Sequence, residues 1–417
     1  PAWRARSFAD RAELVKRLSR ELRGKQNELA ELLTREQGKP LAQSVAEIDR
    51  GAAQSDGMVG IEIPVEVLAD DDDKHIELRY RALGVVGIIT PWNAPVNLAL
   101  GPLVSALYTG NAVILKPSPY TPLTTLKLGE IMQDIFPAGA VNVLAGGDEL
   151  GAEMTQHSGI DKISFTGSVA TGKKVLASAS ATLKRVTLEL GGNDPAIVLG
   201  DVDPQAVAKK IFFASFVNSG QVCMAIKRIY AHESIYEPLC AALVAEAKKA
   251  KVGNGLDSAT ELGPVQNRMQ YDKNVGLIAH TKKAGATFLA GGDIPAGRGY
   301  FLPPTLVTDI ADDSRLVQEE QFGPIVPILK FSDVEDALRR ANDTRYGLSG
   351  SVWTSDVQRG AEIAARLEVG TAWVNQHRTT SAFVPFGGAK ESGLGRQYSA
   401  LGLKSYMEPE VVSVLKR

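Results

Sequence analysis

The fold of this chain is indicated most directly by residues 162–174, Lys162-Ile163-Ser164-Phe165-Thr166-Gly167-Ser168-Val169-Ala170-Thr171-Gly172-Lys173-Lys174. An apolar run that is typical of a buried strand is followed by a glycine turn and the start of a helix. Free backbone N–H groups at such a helix start can bind a phosphate. The pattern G-x-x-x-x-G-K-[ST] is nearly matched, but Lys174 replaces the hydroxyl that would hold magnesium. Phosphoryl transfer is therefore disfavoured, whereas a phosphate-binding turn and a purely structural turn both stay open.

The segments on both sides of this turn alternate between strand and helix patterns. A helix is predicted from about Pro122 to Ile135, with Thr121 as its N-cap and Pro122 in the first helical position. Further strands are predicted at 84–89, 112–116, 141–144, 196–199, 228–231, 325–329 and 370–374. Strands that alternate with helices indicate an α/β fold with parallel sheets and helices on both faces.

Residues 61–82 have a different pattern, that of a β-hairpin. The run 61–67 alternates between apolar and polar residues, an acidic turn follows, and residues 75–80 alternate again. The C-terminal run 411–415 is typical of a lone edge strand. Because both hairpin strands carry a polar face, we expect an arm that is exposed or that meets a partner subunit.

Composition excludes several classes of function. The net charge of −2 is far from the basic excess that nucleic-acid or membrane-surface binding requires. No apolar stretch approaches the length of a membrane span, and the five histidines are not spaced as metal ligands. Two cysteines make no disulfide framework, so we expect Cys240 to be a core thiol and the protein to be cytoplasmic.

Three residues carry groups that are suited to acyl chemistry. Cys223 lies in a glycine-bearing loop, and Glu189 lies 34 positions upstream in a second one. A thiol can form a covalent acyl intermediate, and a carboxylate can activate the water that releases it. Asn93 follows a strand between two prolines, which suits either an oxyanion donor or an ordinary turn residue. Lys116 ends a buried strand, where it would either bind a ligand or face solvent.

Eight short motifs occur in a fixed order along the chain. They are PWNAP (91–95), KPS (116–118), FTGS (165–168), LELGGN (188–193), GQVC (220–223), EEQFGP (319–324), NDTRYGL (342–348) and PFGG with SGLGR (385–396). In this order they resemble the NAD(P)-dependent aldehyde dehydrogenase superfamily, over nearly the whole chain. The resemblance implies an aldehyde dehydrogenase-like α/β fold. It predicts a doubly wound, Rossmann-like cofactor domain of residues 1–60 and 83–191. It also predicts an α/β catalytic domain of residues 192–400 and a small oligomerisation β-arm of residues 61–82 and 405–417.

The resemblance implies a role for each motif. Cys223 would attack an aldehyde, while Asn93 and the Cys223 backbone N–H hold the oxyanion. Glu189 would then activate water and release a carboxylic acid. Its presence favours hydrolysis over transfer of the acyl group to coenzyme A. The cofactor would be NAD or NADP, with no metal, and its predicted contacts are Trp92, Lys116, Ser118, Gly167, Ser168, Glu320 and Phe322.

A substrate pocket is implied by the same alignment of motifs. Its predicted residues are Ala94, Leu98, Val222, Met224, Arg378 and Phe386. Two small residues, Ala94 and Gly101, predict a channel that is wide on their side. Arg378 could bind the carboxylate of a semialdehyde, and the alternative is an exposed, solvated arginine.

The chain departs from its relatives at three places. Pro119 stands where NAD-preferring relatives often carry a glutamate, so we expect NADP to be tolerated. Gln397 replaces a possible proton-relay glutamate. Family members also usually carry a few dozen residues before the position of Trp3. The partner is expected to be a small aldehyde, in a homodimer or homotetramer. The alternative is a shortened, catalytically impaired member that acts as a binding or structural protein.

Overall fold

The computed structural model describes residues 2–416. Its longer helices are α1 (Phe8–Gly24), α2 (Gln26–Gln37), α3 (Leu41–Met58), α4 (Asn97–Tyr108), α5 (Leu123–Gln133), α6 (Asp148–Gln156), α7 (Val169–Ala179), α8 (Pro204–Phe216), α9 (Tyr236–Lys249), α10 (Arg268–Lys283), α11 (Arg315–Gln318), α12 (Val334–Asn342), α13 (Val357–Ala364) and α14 (Ser399–Lys404). Short 3-10 helices lie at Ser180–Thr182, Val217–Gly220 and Glu233–Ile235. Not one helix of the described residues has the length and apolar character needed to cross a lipid bilayer.

The strands form two larger sheets and two smaller ones within residues 2–416. They are β1 (Glu66–Asp70), β2 (Lys74–Ala82), β3 (Val85–Ile89), β4 (Ala112–Lys116), β5 (Val141–Val143), β6 (Lys162–Thr166), β7 (Arg185–Glu189), β8 (Asp194–Val198), β9 (Ile226–His232), β10 (Thr287–Ala290), β11 (Thr305–Thr308), β12 (Ile325–Phe331), β13 (Tyr346–Gly347), β14 (Ser349–Trp353), β15 (Thr371–Val374), β16 (Ala389–Lys390), β17 (Gly393–Leu394) and β18 (Met407–Leu415). The α/β fold with parallel sheets is confirmed.

The first large sheet has the strand order β17-β7-β6-β3-β4-β5. Its strands are parallel except for β17, which pairs antiparallel with β7. From β3 the chain moves outward through β4 and β5, and it then returns to the other side of β3 as β6 and β7. Ligands bind beyond the carboxyl ends of strands at such a switch of direction. The loops that follow β3, β4 and β6 are therefore the expected ligand-binding loops of this sheet.

The second large sheet has the order β10-β11-β12-β9-β8-β14-β15 and is parallel apart from β10. The strands predicted at 196–199, 228–231, 325–329 and 370–374 are all present with small shifts of their ends. The strands that were not predicted are β7, β10, β11, β13, β14, β16 and β17. The loop that carries Cys223 enters this sheet directly before β9.

The arm is a three-stranded antiparallel sheet of order β1-β2-β18. The prediction of a strand over 61–65 is wrong, since β1 begins only at Glu66. Pro64 has no N–H to donate to a ladder, which disfavours a strand there. The C-terminal strand is not alone, because β18 pairs with β2 over its whole length. The outer edge of β18 has no further strand within residues 2–416.

The predicted N-cap of α5 is also wrong. Pro122 stands before the helix, and Thr121 does not cap it. The Glu36 carboxylate of α2 instead accepts the backbone N–H groups of Leu123 (2.8 Å) and Thr124 (2.9 Å). A carboxylate at a helix start satisfies free donors and favours the helix dipole. Helices α2 and α5 are thereby joined beside the first sheet.

The C-terminal segment packs on the first sheet and its helices. Strand β17 pairs with β7, and the side chains of Tyr398, Leu403 and Tyr406 are buried in the same core as α1 to α4. The predicted division into domains at residue 400 stays an expectation. The packing brings residues 393–406 beside Glu189, which is the last residue of β7.

Candidate active site

The predicted site residues meet beyond the carboxyl ends of the first sheet. Asn93 follows β3, Gly167 follows β6, and Glu189 ends β7. The Gly167 N–H donates to the Glu189 carbonyl at 3.0 Å, so these two motifs touch directly. Parallel strands place their carboxyl ends at one edge, which is why distant motifs converge here.

Cys223 is presented by a tightly constrained loop. Asn218 and Ser219 both have positive φ (53° and 55°), a conformation that non-glycine residues adopt at a cost. The Gln221 side chain donates to the Asn218 carbonyl at 2.8 Å. Gly220 also has positive φ, and a Cβ there would meet the Gly323 carbonyl oxygen at 2.3 Å. The loop therefore has one available shape, and this shape fixes the position of the thiol.

The amide of Asn93 is bound to the same loop. Its Nδ2 donates to the Gln221 carbonyl at 3.0 Å, two residues before Cys223. The backbone carbonyl of Asn93 accepts from Asn218 Nδ2 at 3.0 Å and from Lys39 Nζ at 2.8 Å. An amide nitrogen carries two N–H donors, so one stays available beside the thiol. Asn93 is thus held as an oxyanion donor would need to be.

A buried ion pair, which was not predicted from the sequence, contacts the backbone of Asn93. Lys39 and Glu47 are both buried, and the Lys39 ammonium contacts the Glu47 carboxylate. Glu47 also accepts the backbone N–H groups of Val96 (3.0 Å) and Asn97 (3.2 Å), just after the Asn93 turn. The sequence signal that could have indicated Lys39 is the run Gly38-Lys39-Pro40, in which the lysine lies between two residues that end a helix.

The thiol of Cys223 is protonated at neutral pH in this arrangement. Its pKa is raised to about 12, mainly by burial, and the carboxylates of Glu320, Asp194 and Glu189 act in the same direction. Lys227 opposes this shift with its positive charge. The residue keeps a partly exposed surface, which leaves access for a small molecule. The proton must therefore leave Sγ as a bond to carbon forms.

Lys227 is a second residue that sequence analysis missed. Its Nζ donates to the carbonyl oxygens of Val222 and Cys223 and lies 3.7 Å from a Glu320 carboxylate oxygen. The signal was a lysine inside the apolar strand β9, where a charge needs a partner. Lys227 therefore ties the nucleophile loop to Glu320.

Glu189 carries a buried carboxylate without hydrogen bonds. Only 6% of the residue is exposed, and neither side-chain oxygen has a partner within residues 2–416. Burial raises the pKa of Glu189 well above its usual value, and the Arg396 charge offsets part of this shift. A Cβ at Gly387 would meet Glu189 Oε1 at 2.9 Å, so glycine there gives the carboxylate its room. Such a carboxylate is free to take a proton from water.

The predicted cofactor residues after β4 are buried. Lys116 Nζ has one long contact, to the Pro117 carbonyl at 3.3 Å, and burial lowers the pKa of this lysine. Ser118 is buried and its Oγ accepts from the Tyr120 backbone N–H at 3.3 Å. Pro119 is exposed and offers no carboxylate. A weakly bound ammonium of this kind fits the hydroxyl groups of a ribose.

Three more predicted cofactor residues are the N-cap of α7 and a pair of aromatic rings. Ser168 is the N-cap of α7 and accepts from the Thr171 backbone N–H at 3.2 Å. Trp92 and Phe322 pack edge to face, with ring centroids 5.4 Å apart. The Thr171 N–H is thereby used, and the N–H groups of Val169 and Ala170 in the first helical turn are left for a phosphate. These residues therefore fit the pyrophosphate of a dinucleotide.

Glu320 is positioned between the two halves of the site. Its Oε1 accepts from the Gly192 backbone N–H at 2.9 Å. A Cβ at Gly191 would meet Glu320 Oε2 at 2.4 Å, so the glycines that follow Glu189 are required for this approach. Lys273 holds the Glu320 carbonyl at 2.6 Å. The second carboxylate oxygen is left to accept a ribose hydroxyl.

The predicted substrate pocket is assembled only in part. All six predicted residues are half-buried, namely Ala94, Leu98, Val222, Met224, Arg378 and Phe386. The prediction of a wide channel beside Gly101 is wrong, because a Cβ there would meet the Tyr398 hydroxyl at 3.1 Å. Tyr398 comes from the C-terminal segment, which no local pattern connects to α4. Arg378 is not the exposed side chain of the alternative prediction, since its Nε is buried.

Comparison with known proteins agrees with this geometry. The aldehyde dehydrogenase family model matches residues 1–412. Human mitochondrial aldehyde dehydrogenase is 38% identical over 99% of this chain and 81% of its own length. Betaine aldehyde dehydrogenase of Brucella anthropi is 36% identical over 99% of this chain and 86% of its own length.

Solved structures that are similar to this chain are also aldehyde dehydrogenases. An aldehyde dehydrogenase from Bacillus cereus in complex with NAD+ has a TM-score of 0.97 and 36% identity, covering 100% of this chain and 86% of that one. Betaine aldehyde dehydrogenase from Staphylococcus aureus with NAD+ has a TM-score of 0.96 and 33% identity, over 99% and 84% of the two chains. The chain described here belongs to the aldehyde dehydrogenase family.

Proposed function

We propose that this protein oxidises an aldehyde to a carboxylic acid with NAD or NADP, through a thioester on Cys223. The observation that carries the proposal is the constrained thiol loop, to which the Asn93 amide is bound through the Gln221 carbonyl at 3.0 Å. The unpartnered carboxylate of Glu189 supplies the base. A nucleophile, an oxyanion donor and a base are the three groups that acyl chemistry at a thiol requires.

The first half of the reaction belongs to Cys223 and Asn93. Sγ releases its proton to solvent water as it attacks the carbonyl carbon of the aldehyde. The oxygen that becomes negative accepts from the second Asn93 N–H and from the Cys223 backbone N–H. Bound NAD(P) supplies the acceptor for the hydride that leaves this carbon. The acyl group then remains on Cys223 as a thioester.

The second half belongs to Glu189. Its carboxylate takes a proton from water, and the resulting hydroxide attacks the thioester carbon. The C–S bond breaks, the acid is released and the thiol is regenerated. A raised pKa suits this role, because a more basic carboxylate removes a proton from water more readily. The same base supports hydrolysis rather than transfer to coenzyme A.

The tolerance of both cofactors follows from Pro119. A carboxylate that binds the 2′-hydroxyl of a ribose would repel the 2′-phosphate of NADP. The exposed Pro119 carries no charge, and Lys116 is the cationic group beside it. The proposal therefore includes NADP as a cofactor as well as NAD.

Assembly and location complete the proposal. The β-arm exposes Val67, Leu68, Val411 and Leu415, and the free edge of β18 can pair with a second copy. A homodimer or homotetramer follows, to be tested by light scattering. Two free thiols are typical of a reducing compartment, which supports a cytoplasmic location.

An absorbance assay for NAD(P)H with a panel of aldehydes tests the activity. The wild-type protein should reduce either cofactor, and Cys223→Ala should abolish the signal. Cys240→Ala is the matched control, because Cys240 is a buried thiol in the core of the second sheet. Absence of NAD(P)H with every aldehyde, or equal loss in both cysteine variants, would contradict the proposal.

A further inference from the structure

Two arginines near the thiol have no acidic partner. Within residues 2–416, neither Arg50 nor Arg378 makes an ion pair or a hydrogen bond to a carboxylate. The Nε of Arg378 is buried and has no hydrogen-bond partner at all. A buried guanidinium donor without an acceptor costs free energy, so an unpaired one calls for an explanation.

Arg378 is held beside the nucleophile by its neighbour His377. The His377 ring contacts the Met224 carbonyl at 3.1 Å and Ser351 Oγ at 2.9 Å, and Met224 follows Cys223 directly. Arg378 has φ +66°, a left-handed backbone conformation that a non-glycine residue adopts at a cost. Its guanidinium lies 5.9 Å from the centre of the Phe213 ring.

The electrostatics of Arg378 agree with this position. The pKa of Arg378 is lowered to about 10, mainly by burial and also by the Arg50 charge, while Cys223 opposes the shift. Arg378 therefore stays cationic at neutral pH and within electrostatic reach of the thiol.

Arg50 lies on α3 and interacts electrostatically with Arg378. It lies one turn before Gln54 on α3, and residues four apart share a helix face. The Gln54 amide donates to Thr380 Oγ1 at 3.2 Å, two residues after Arg378, and accepts from the Tyr398 hydroxyl at 3.4 Å. Burial raises the pKa of Tyr398, Glu189 and Cys223 act in the same direction, and the Arg50 charge opposes the shift. Two like charges thus face one space that also contains the reacting groups.

We propose that Arg378, assisted by Arg50, binds the carboxylate of an aldehyde that also carries an acid group. The substrate class is then a short-chain semialdehyde, and the product is a dicarboxylate. An arginine fork binds a carboxylate through two parallel hydrogen bonds, and that anion would also separate the two like charges. The same charges disfavour a cationic aldehyde. This inference rests on the proposed oxidation of aldehydes at Cys223.

The test compares three aldehydes of different charge in the same assay. Succinic semialdehyde is the anionic probe, pentanal the neutral one and betaine aldehyde the cationic one. The kcat/KM for succinic semialdehyde should exceed that for pentanal by about 10-fold or more, the size of one charged hydrogen bond. Betaine aldehyde should be the poorest of the three. A semialdehyde that is no better than pentanal would overturn the inference.

Arginine variants distinguish binding of the substrate carboxylate from the oxidation step itself. Arg378→Gln should lower the ratio of kcat/KM for succinic semialdehyde to that for pentanal by about 10-fold, mainly through KM. Arg50→Gln should lower the ratio by less, because Arg50 is exposed. Arg359→Gln, an exposed arginine on α13, is the control and should leave the ratio as it is. Arg378→Lys keeps the charge without the fork and should give an intermediate ratio.

The outcomes distinguish the two proposals. If pentanal is oxidised and succinic semialdehyde is not preferred over it, the proposed carboxylate binding by Arg378 is wrong and the proposed oxidation of aldehydes still holds. Absence of NAD(P)H with all three aldehydes removes both. An unchanged ratio in a folded Arg378→Gln protein, checked by its thermal unfolding, also overturns the role of Arg378.

Discussion

The Lys39–Glu47 ion pair behind Asn93 provides the sharpest test of how the oxyanion donor is positioned. Lys39→Met removes the ammonium that donates to the Asn93 carbonyl at 2.8 Å. It also leaves the Glu47 carboxylate buried without a cation, which costs about 3–5 kcal/mol in stability. Glu47 keeps the N–H groups of Val96 and Asn97, so the lower end of this range is expected. We expect a clear drop in the thermal unfolding midpoint.

The effect on catalysis should be separable from the effect on stability. The double variant Lys39→Met/Glu47→Gln removes both charges but keeps an acceptor for the two N–H groups. Its unfolding midpoint should return toward that of the wild type, because no buried charge is left unpaired. The kcat should stay about 10-fold low, since Asn93 has lost one support, while complete loss of an oxyanion donor costs about 10²–10³-fold.

The assays are thermal unfolding and steady-state NAD(P)H formation with saturating aldehyde. Arg35→Gln is the control, because it breaks the exposed Arg35–Glu31 pair, which contributes about 0–1 kcal/mol. Recovery of both stability and kcat in the double variant would refute the reasoning. The ion pair would then hold the fold and play no part in positioning Asn93.

Four further predictions follow from the site. Glu189→Gln should raise the unfolding temperature more at pH 8 than at pH 5. The pKa of Glu189 in the folded protein lies above its unfolded value of about 4.3, so the wild-type protein loses stability as pH rises through the raised pKa, and the amide of Gln avoids this loss. Calorimetry that shows the same gain in unfolding temperature at both pH values would contradict this prediction. Asn93→Ala should lower kcat by about 10²–10³-fold in steady-state kinetics, and a loss confined to KM would exclude the oxyanion role. The rate of Cys223 alkylation by iodoacetamide should keep rising beyond pH 9. Lys227→Met should slow this alkylation, because it removes a cation that lowers the thiol pKa. An alkylation rate in Lys227→Met equal to or above that of the wild type would be inconsistent with this electrostatic role. The wild-type preference for NAD over NADP should stay below about 1000-fold, roughly 4 kcal/mol in kcat/KM, and Pro119→Glu should increase it; an NAD preference above that ratio would contradict the account of Pro119.

Residues close together in sequence were predictable, because strand, turn and helix signals are local. The glycine turn at Gly167 and the strand β6 before it appear where the pattern indicated. Asn93 also lies just beyond β3, as its pattern indicated, but its convergence with Glu189 was not predicted, because strand β7 was missed. Their catalytic roles stay predictions until they are measured.

Contacts between distant segments were not predictable from local patterns. Glu36 caps a helix that begins 87 residues later, and Tyr398 fills the space beside Gly101. Strand β14 was missed because Ser349 and Ser351 interrupt its apolar pattern. Their hydroxyls are satisfied inside the core, by the Asp194 carboxylate and by the Trp353 indole N–H at 3.0 Å. Buried polar residues with partners look like surface residues in a sequence.

The central claim is that Cys223 carries the acyl group until Glu189 activates water. Rapid mixing of Glu189→Gln with cofactor and aldehyde, followed by intact-mass analysis, tests it most directly. We predict a burst of one NAD(P)H per active site, a slow steady state and an acyl adduct on Cys223. Steady turnover at the wild-type rate, with no adduct on the thiol, would contradict the account.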